Sequence, residues 1–128
     1  MKNACLVAIM FGLTSTSANA QVMRAEGDFA SRNVFLRTLV LDSEKGVVAV
    51  SSAVTLGACS GEITGIGEMK AKSLRIKPYE KLEDGEDCVL QIDFSNDWQS
   101  AKLSGKNCSA YHGASCGWEG QEVKRKKK

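Results

Sequence analysis

Along most of the chain, apolar and polar residues alternate with a period of two, the spacing that places every second side chain on one face of a β-strand. Cys88, Leu90, Ile92 and Phe94 share one parity against Val89, Gln91 and Asp93, and residues 73–79 alternate as far as Pro78. Residues 33–41 and 46–54 are rich in β-branched and apolar side chains, and the turn-forming stretch Asp42-Ser43-Glu44-Lys45-Gly46 between them predicts a hairpin. Ser95-Asn96-Asp97 predicts a second turn, leading into residues 98–105, where Ala101 and Leu103 alternate with Lys102 and Ser104. Further strands are expected over residues 22–28, 58–69 and 114–123, for a total of about eight, and no segment carries a convincing amphipathic helical pattern. The expectation is an all-β domain of about eight antiparallel strands, arranged as a small barrel or a sandwich. Closure into a barrel removes the exposed edges that an open sheet leaves unpaired. Gly61, Gly65, Gly67 and Gly105 suit bulges or sharp strand bends.

The start of the chain breaks this pattern. Lys2, an apolar stretch over residues 6–13 and the small-residue sequence Ala18-Asn19-Ala20 read as a secretory signal peptide covering residues 1–20, cleaved near Ala20. The apolar stretch is too short to cross a hydrocarbon core roughly 30 Å thick. Cys5 falls inside the leader and Gln21 follows the expected cut, so no lipid-modified N-terminal cysteine is expected. The reading divides the chain into a signal peptide (1–20), a single β-domain (21–123) and a basic tail (124–128), with a periplasmic or secreted destination. Cys59, Cys88, Cys108 and Cys116 then meet an oxidising compartment as an even set, which predicts two disulfides among three connectivities. The favoured pairs are Cys108 with Cys116, closing a short local loop, and Cys59 with Cys88, joining strands distant in sequence.

Charge adds an asymmetry. Between Gln21 and Val123 there are 11 basic residues against 15 acidic ones, with a dense run at Glu80, Glu83, Asp84, Glu86 and Asp87, whereas Lys124, Arg125, Lys126, Lys127 and Lys128 are all basic. The acidic body favours encounter with a basic partner. The plain alternative is a solvated loop. The basic tail is read either as a solubilising end or as a contact with an anionic membrane surface.

The most distinctive stretch, residues 108–120, holds the only histidine and one of the two tryptophans. With Cys108 bonded to Cys116, Tyr111 and His112 would sit at the tip of a constrained loop that loses little entropy on binding. Tyrosine is frequent at binding hot spots, and histidine can donate or accept hydrogen bonds. The plain alternative is a tight structural turn. Cys108, His112 and Cys116 fall short of a zinc set in a disulfide-forming compartment, so no metal or cofactor is expected. No nucleophile-and-base motif surrounds His112, and the carboxylates Glu62, Glu68 and Asp93 carry no specific signal, because a glycosidase pair is defined by its separation in space. Catalysis is therefore not expected, and neither is nucleic-acid binding, which would require a basic face interleaved with aromatics.

Signal peptide, about eight strands, paired cysteines and a late Cys-to-Cys turn followed by Gly117-Trp118-Glu119-Gly120 together resemble the small periplasmic lysozyme-inhibitor-like β-proteins of Gram-negative bacteria. The chain also resembles periplasmic immunity proteins that protect bacteria from cell-wall-degrading effectors of type VI secretion. The resemblance implies a binding protein whose partner is a peptidoglycan hydrolase. In one lysozyme-inhibitor family a histidine within a short disulfide-closed loop enters the enzyme's cleft, and Cys108, His112 and Cys116 match that arrangement. Tyr111 and His112 would meet cleft carboxylates, while Glu83, Asp84, Glu86 and Asp87 would meet basic residues on its rim. A small-ligand carrier, an envelope structural role and a homodimer through an exposed edge strand stay open at this point.

Overall fold

The period-two pattern closes on itself. In the computed structural model, which describes residues 18–83 and 87–128, eight antiparallel strands form a closed barrel in which each strand pairs with its neighbours in sequence. The strands are β1 (Gly27–Ala30), β2 (Val34–Asp42), β3 (Val47–Leu56), β4 (Cys59–Lys70), β5 (Ser73–Pro78), β6 (Val89–Phe94), β7 (Ser100–Lys106) and β8 (Gln121–Arg125). The expected β-architecture is thus realised as a barrel rather than a sandwich. Lys2, Cys5 and the apolar stretch of the expected signal lie outside the described residues.

Inward positions follow the alternation. Leu36, Val48, Ile63, Leu74, Ile76, Leu90, Ile92 and Leu103 are fully buried and fill the barrel with side chains. Two inward positions are polar, Thr38 and Ser52, and each is satisfied from a distant segment. The Thr38 hydroxyl lies within hydrogen-bonding distance of the Ala25 and Gly27 carbonyls, and Ser52 Oγ donates to the Phe35 carbonyl at 2.9 Å. A buried hydroxyl without such partners would destabilise the interior.

Strands run alternately up and down, so one end gathers the β1–β2, β3–β4, β5–β6 and β7–β8 connections. We call it the mouth. The opposite end, the base, is sealed. Where the sequence pattern predicted a strand over residues 22–28, the chain instead forms a short helix, α1 (Ala18–Arg24), before β1 begins. Ala, Gln, Met and Arg favour helix, and Val22 and Ala25, three residues apart, turn into the core, a spacing too short for the period search to register. Phe29, Phe94 and Trp98 pack beside them, with ring centroids 5.7 Å apart for Phe29–Phe94 and 5.5 Å for Phe94–Trp98. Trp98 itself sits in the β6–β7 turn with φ of 62°, so β7 starts two residues later than the pattern suggested.

The seam of the barrel is thin. β1 and β8 share only two residue pairs, Phe29 with Arg125 and Ala30 with Lys124. Arg125 reinforces it from the side. Its guanidinium donates to the Trp98 carbonyl (3.0 Å), the Glu26 carbonyl (2.7 Å) and the Arg24 carbonyl (2.6 Å), and lies 4.5 Å above the Phe29 ring. Desolvation, with the nearby charge of Arg24, lowers its pKa from the ordinary arginine value. Lys124 and Arg125, the first two residues of the basic run, are therefore strand residues, and the Lys126 amide still donates to the Asp28 carbonyl at 2.8 Å.

The glycine positions that suggested bulges behave differently. The β3–β4 and β4–β5 ladders run unbroken through Gly65 and Gly67, and the register shift lies instead in β2, between Val40 and Asp42. There Glu26 accepts from the Val40 amide at 2.9 Å.

Two outcomes are expected. Arg125→Gln removes a three-carbonyl clamp and should lower unfolding stability by about 2 kcal/mol in urea titrations, while the exposed Lys126→Gln stays within about 0.5 kcal/mol of wild type. Second, the Arg37 guanidinium hydrogen-bonded to Asp28 (2.7 and 3.0 Å) holds the Asp28 carboxyl below its ordinary value against the opposing effect of desolvation, with lesser help from the charges of Arg37, Lys126 and Lys128. A depressed native value contributes stability above the unfolded-state value and loses it as pH falls through the native one. Wild type should therefore exceed Asp28→Asn in stability near neutrality and converge with it in strong acid, as measured by unfolding at the two extremes.

Candidate functional site

The mouth is shaped by the β7–β8 connection, and both disulfides lie there. The bonds join Cys59 to Cys116 and Cys88 to Cys108. This corrects the pairing favoured from sequence, Cys108 with Cys116 and Cys59 with Cys88, which assumed that the nearer cysteine is the partner. The connection does not fold back on itself. A single 3-10 turn (Ser109–Tyr111) sends it across the mouth to the unpaired edge of β4, whose first half extends beyond β5. Gly61 bridges His112 there, and the Gly113 amide donates to the Ser60 carbonyl at 3.1 Å. Cys116 is thereby delivered to Cys59 at the start of β4, while Cys108 stays beside Cys88 at the start of β6. The segment between Cys108 and Cys116 is not a ring closed by its own disulfide. It is a strap bolted at each end to a different strand.

Glycine makes the crossing close. A Cβ at Gly61 would lie 2.5 Å from His112 Cβ and 2.6 Å from the Tyr111 carbonyl oxygen, and one at Gly113 would lie 2.6 Å from Cys59 Sγ. Any larger residue at either position pushes the strap off the barrel.

His112 is half-buried. Its ring meets Trp118 edge-on at 5.7 Å, and its Nδ1 lies 2.6 Å from the Gly113 carbonyl oxygen. A carbonyl only accepts, so Nδ1 carries a proton, and in the neutral ring this leaves Nε2, beside Gly117, as the acceptor. Trp118 is buried and donates from Nε1 to Ser52 Oγ at 2.9 Å, linking the strap to the inside of β3. This pair spans 66 residues, and nothing in the local sequence around either member announces it.

Tyr111 takes the role of a hinge pin. Its hydroxyl donates to the Glu80 carbonyl at 3.0 Å and accepts from the Leu82 amide at 3.3 Å. The strap and the acidic β5–β6 connection, picked out separately from sequence, are therefore joined at one point. Glu83 and Asp87 are exposed on that connection, and Asp87 has Lys81 at 3.9 Å. Asp84 and Glu86 lie outside the described residues. Beneath the strap, a cleft of about 600 Å³ opens at the rim, with Asn33, Asn107, His112, Glu119 and Gln121 among its lining residues. Of these, only His112 is marked by the sequence as a binding candidate: Asn107 and Glu119 lie on the same connection and Gln121 opens β8, while Asn33 comes from the β1–β2 connection, and their residue types carry no binding signal of their own. Glu119 accepts from the Gly105 amide at 3.2 Å.

The carboxylates weighed from sequence do not converge as a pair on this cleft. Glu62 lines a neighbouring groove with Glu80, Leu82 and Tyr111, whereas Asp93 is engaged by Ser73 Oγ (2.8 Å) and the Gln91 amide on the outside of the barrel. Among the described residues, no group of three or more His, Cys, Asp or Glu side chains is placed to hold a metal ion. No described helix is long and apolar enough to cross a membrane, and the two disulfides are compatible with an extracytoplasmic protein. Compared with known proteins, the chain matches no family model, no curated protein and no solved structure.

Peptide mapping without reduction should recover the 59–116 and 88–108 linkages. In the chain-entropy picture, Cys59→Ala/Cys116→Ala should cost about 4 kcal/mol and Cys88→Ala/Cys108→Ala about 3 kcal/mol in unfolding stability, the order following the lengths of chain enclosed.

Proposed function

We propose that this is a periplasmic inhibitor or immunity protein, acting by binding rather than catalysis, and that its mouth covers the active-site cleft of a peptidoglycan hydrolase of the lysozyme-like muramidase kind. The observation that carries the reading is the Tyr111 hydroxyl, which locks the acidic β5–β6 connection to the disulfide-bolted strap and so makes one continuous rim from two binding elements. A rim already held in place loses little freedom on docking, so more of its contact energy appears as affinity.

The chemistry is complementary. Enzymes that act on an anionic wall are often basic around the cleft, and Glu80, Glu83 and Asp87 meet such lips with opposite charge. A retaining muramidase also presents a protonated general acid in its cleft. With Nδ1–H engaged by Gly113, His112 offers Nε2 as an acceptor for a donor of that kind. The expected signal peptide and the two disulfides agree with a periplasmic site of action. The carrier alternative is less favoured, because apolar side chains point into and fill the barrel interior.

The test is a turbidity assay of wall lysis with the purified protein titrated against a standard muramidase and the organism's own secreted wall hydrolases. Stoichiometric protection is expected. Glu83→Lys/Asp87→Lys should slow association at least about tenfold at low salt and less at high salt, the signature of charge steering. Tyr111→Phe should weaken binding mainly through faster dissociation, since it frees the rim without altering charge. Absence of protection against every hydrolase tried would sink the proposal.

A further inference from the structure

The flank of the barrel nearest the base carries a second surface, independent of the mouth. Leu39 on β2 and Ile66 on β4 both stand opposite Ala49 on β3, so the three form a row across the outside of the sheet, and Leu41 lies beyond it at the register shift. Leu39 is 52% exposed, Leu41 52% and Ile66 54%. Single exposed leucines are ordinary, but an aligned apolar row is not. On one side the row runs into a groove of about 870 Å³ lined by Leu39, Arg37, Lys126, Lys127 and Lys128. The same groove is also lined by Glu26, Asp28 and Arg125; Arg37 pairs with Asp28 and the charge of Arg125 offsets that of Glu26, so the three lysines supply its net positive charge.

We propose that this flank docks on an anionic lipid bilayer, the lysines of 126–128 against headgroup phosphates and Leu39, Leu41 and Ile66 at the boundary with the acyl chains. Each half of the patch argues for the same occupant. A cationic cluster alone would suit any polyanion, and an apolar row alone any apolar partner, but the two side by side are the composition of an interfacial membrane surface. Nucleic acid fits less well, since aliphatic side chains offer no stacking platform for bases. Docking here turns the mouth away from the membrane, so the proposal stands whether or not the mouth binds a hydrolase.

The arrangement also dictates how it is tested. Deleting the whole basic run would remove Lys124 and Arg125 from β8 and break the seam, so the lysines must be substituted in place. The chain as secreted by an expression host, its N-terminus established by mass spectrometry and identical in all variants, is sedimented with phosphatidylcholine vesicles and with vesicles containing about a third phosphatidylglycerol. Binding to the anionic vesicles only, weakening with salt, is expected. Each lysine near an anionic surface strengthens binding about fivefold, so Lys126→Gln/Lys127→Gln/Lys128→Gln should lower the partition coefficient about a hundredfold. Leu39→Ser/Leu41→Ser should lower it at least about tenfold while leaving the salt dependence unchanged. Circular dichroism verifies that the variants fold, and the salt titration of wild type reads the charge contribution without any variant. Equal binding to both vesicle types, no binding by wild type, or variants that bind as wild type does would each overturn the proposal. So would self-association of wild type that is abolished by Leu39→Ser/Leu41→Ser, since the row would then be covered by a second copy.

Discussion

Everything in this fold hangs on closing a ring whose last joint is only two residue pairs wide. Seven of the eight strand pairings join neighbours in sequence, each made by a local connection, and the eighth joins β1 to β8. A ladder so short cannot hold a barrel shut by backbone hydrogen bonds alone. Arg125 supplies the remainder. One planar guanidinium reaches three carbonyls and covers an aromatic face, and so ties together the end of α1, the entrance to β1, the β6–β7 turn and β8. Lysine has neither the fork nor the planar face to do this.

The two ends of the barrel are built on opposite principles. The base is finished with apolar mass: Val22, Ala25, Phe94 and Trp98 fill it, and Thr38 ties the helix exit to the interior. The mouth is finished with covalent bonds and polar pins. A connection of fourteen residues cannot be packed flat over a small barrel by its own apolar content, and here it is carried by two disulfides, one bridge to Gly61 and the Trp118–Ser52 hydrogen bond. Rigidity without bulk leaves a cleft beneath the strap and polar groups around it, which is what a recognition surface requires.

How much of this the sequence shows depends on the range of the interaction involved. Alternation in β6 is visible because Cys88, Leu90, Ile92 and Phe94 all face inward and their neighbours do not, a relation contained within seven residues. The same rule fails at Thr38 and Ser52, polar residues facing inward, because their hydrogen-bond partners are a carbonyl just after α1, the Phe35 carbonyl on β2 and the Trp118 indole 66 residues on. α1 is hidden by its brevity and by the leader-like composition that precedes it. The cysteine pairs are misread for a related reason: proximity in sequence favours Cys108 with Cys116, whereas the outcome is set by a glycine edge on β4 that draws the strap across the mouth. For the candidate site, the acidic run and the Tyr111–His112 segment are legible as unusual composition. Their junction through one phenol hydroxyl is not, since it joins residues about thirty apart by a backbone carbonyl that any residue would provide.

The clamp at the seam also bears on the order in which the chain can assemble. Arg125 binds carbonyls 99 and 101 residues earlier, so a chain made in order can form hairpin after hairpin but no ring until residue 125 is present. Until then β1 has an open edge, and the exit of the helix that plugs the base is held by β2 alone, through Thr38 and the Val40 amide. Contacts of such long range are formed late and slowly. The ring is thus the last thing the chain can make, a timing written into the position of a single arginine.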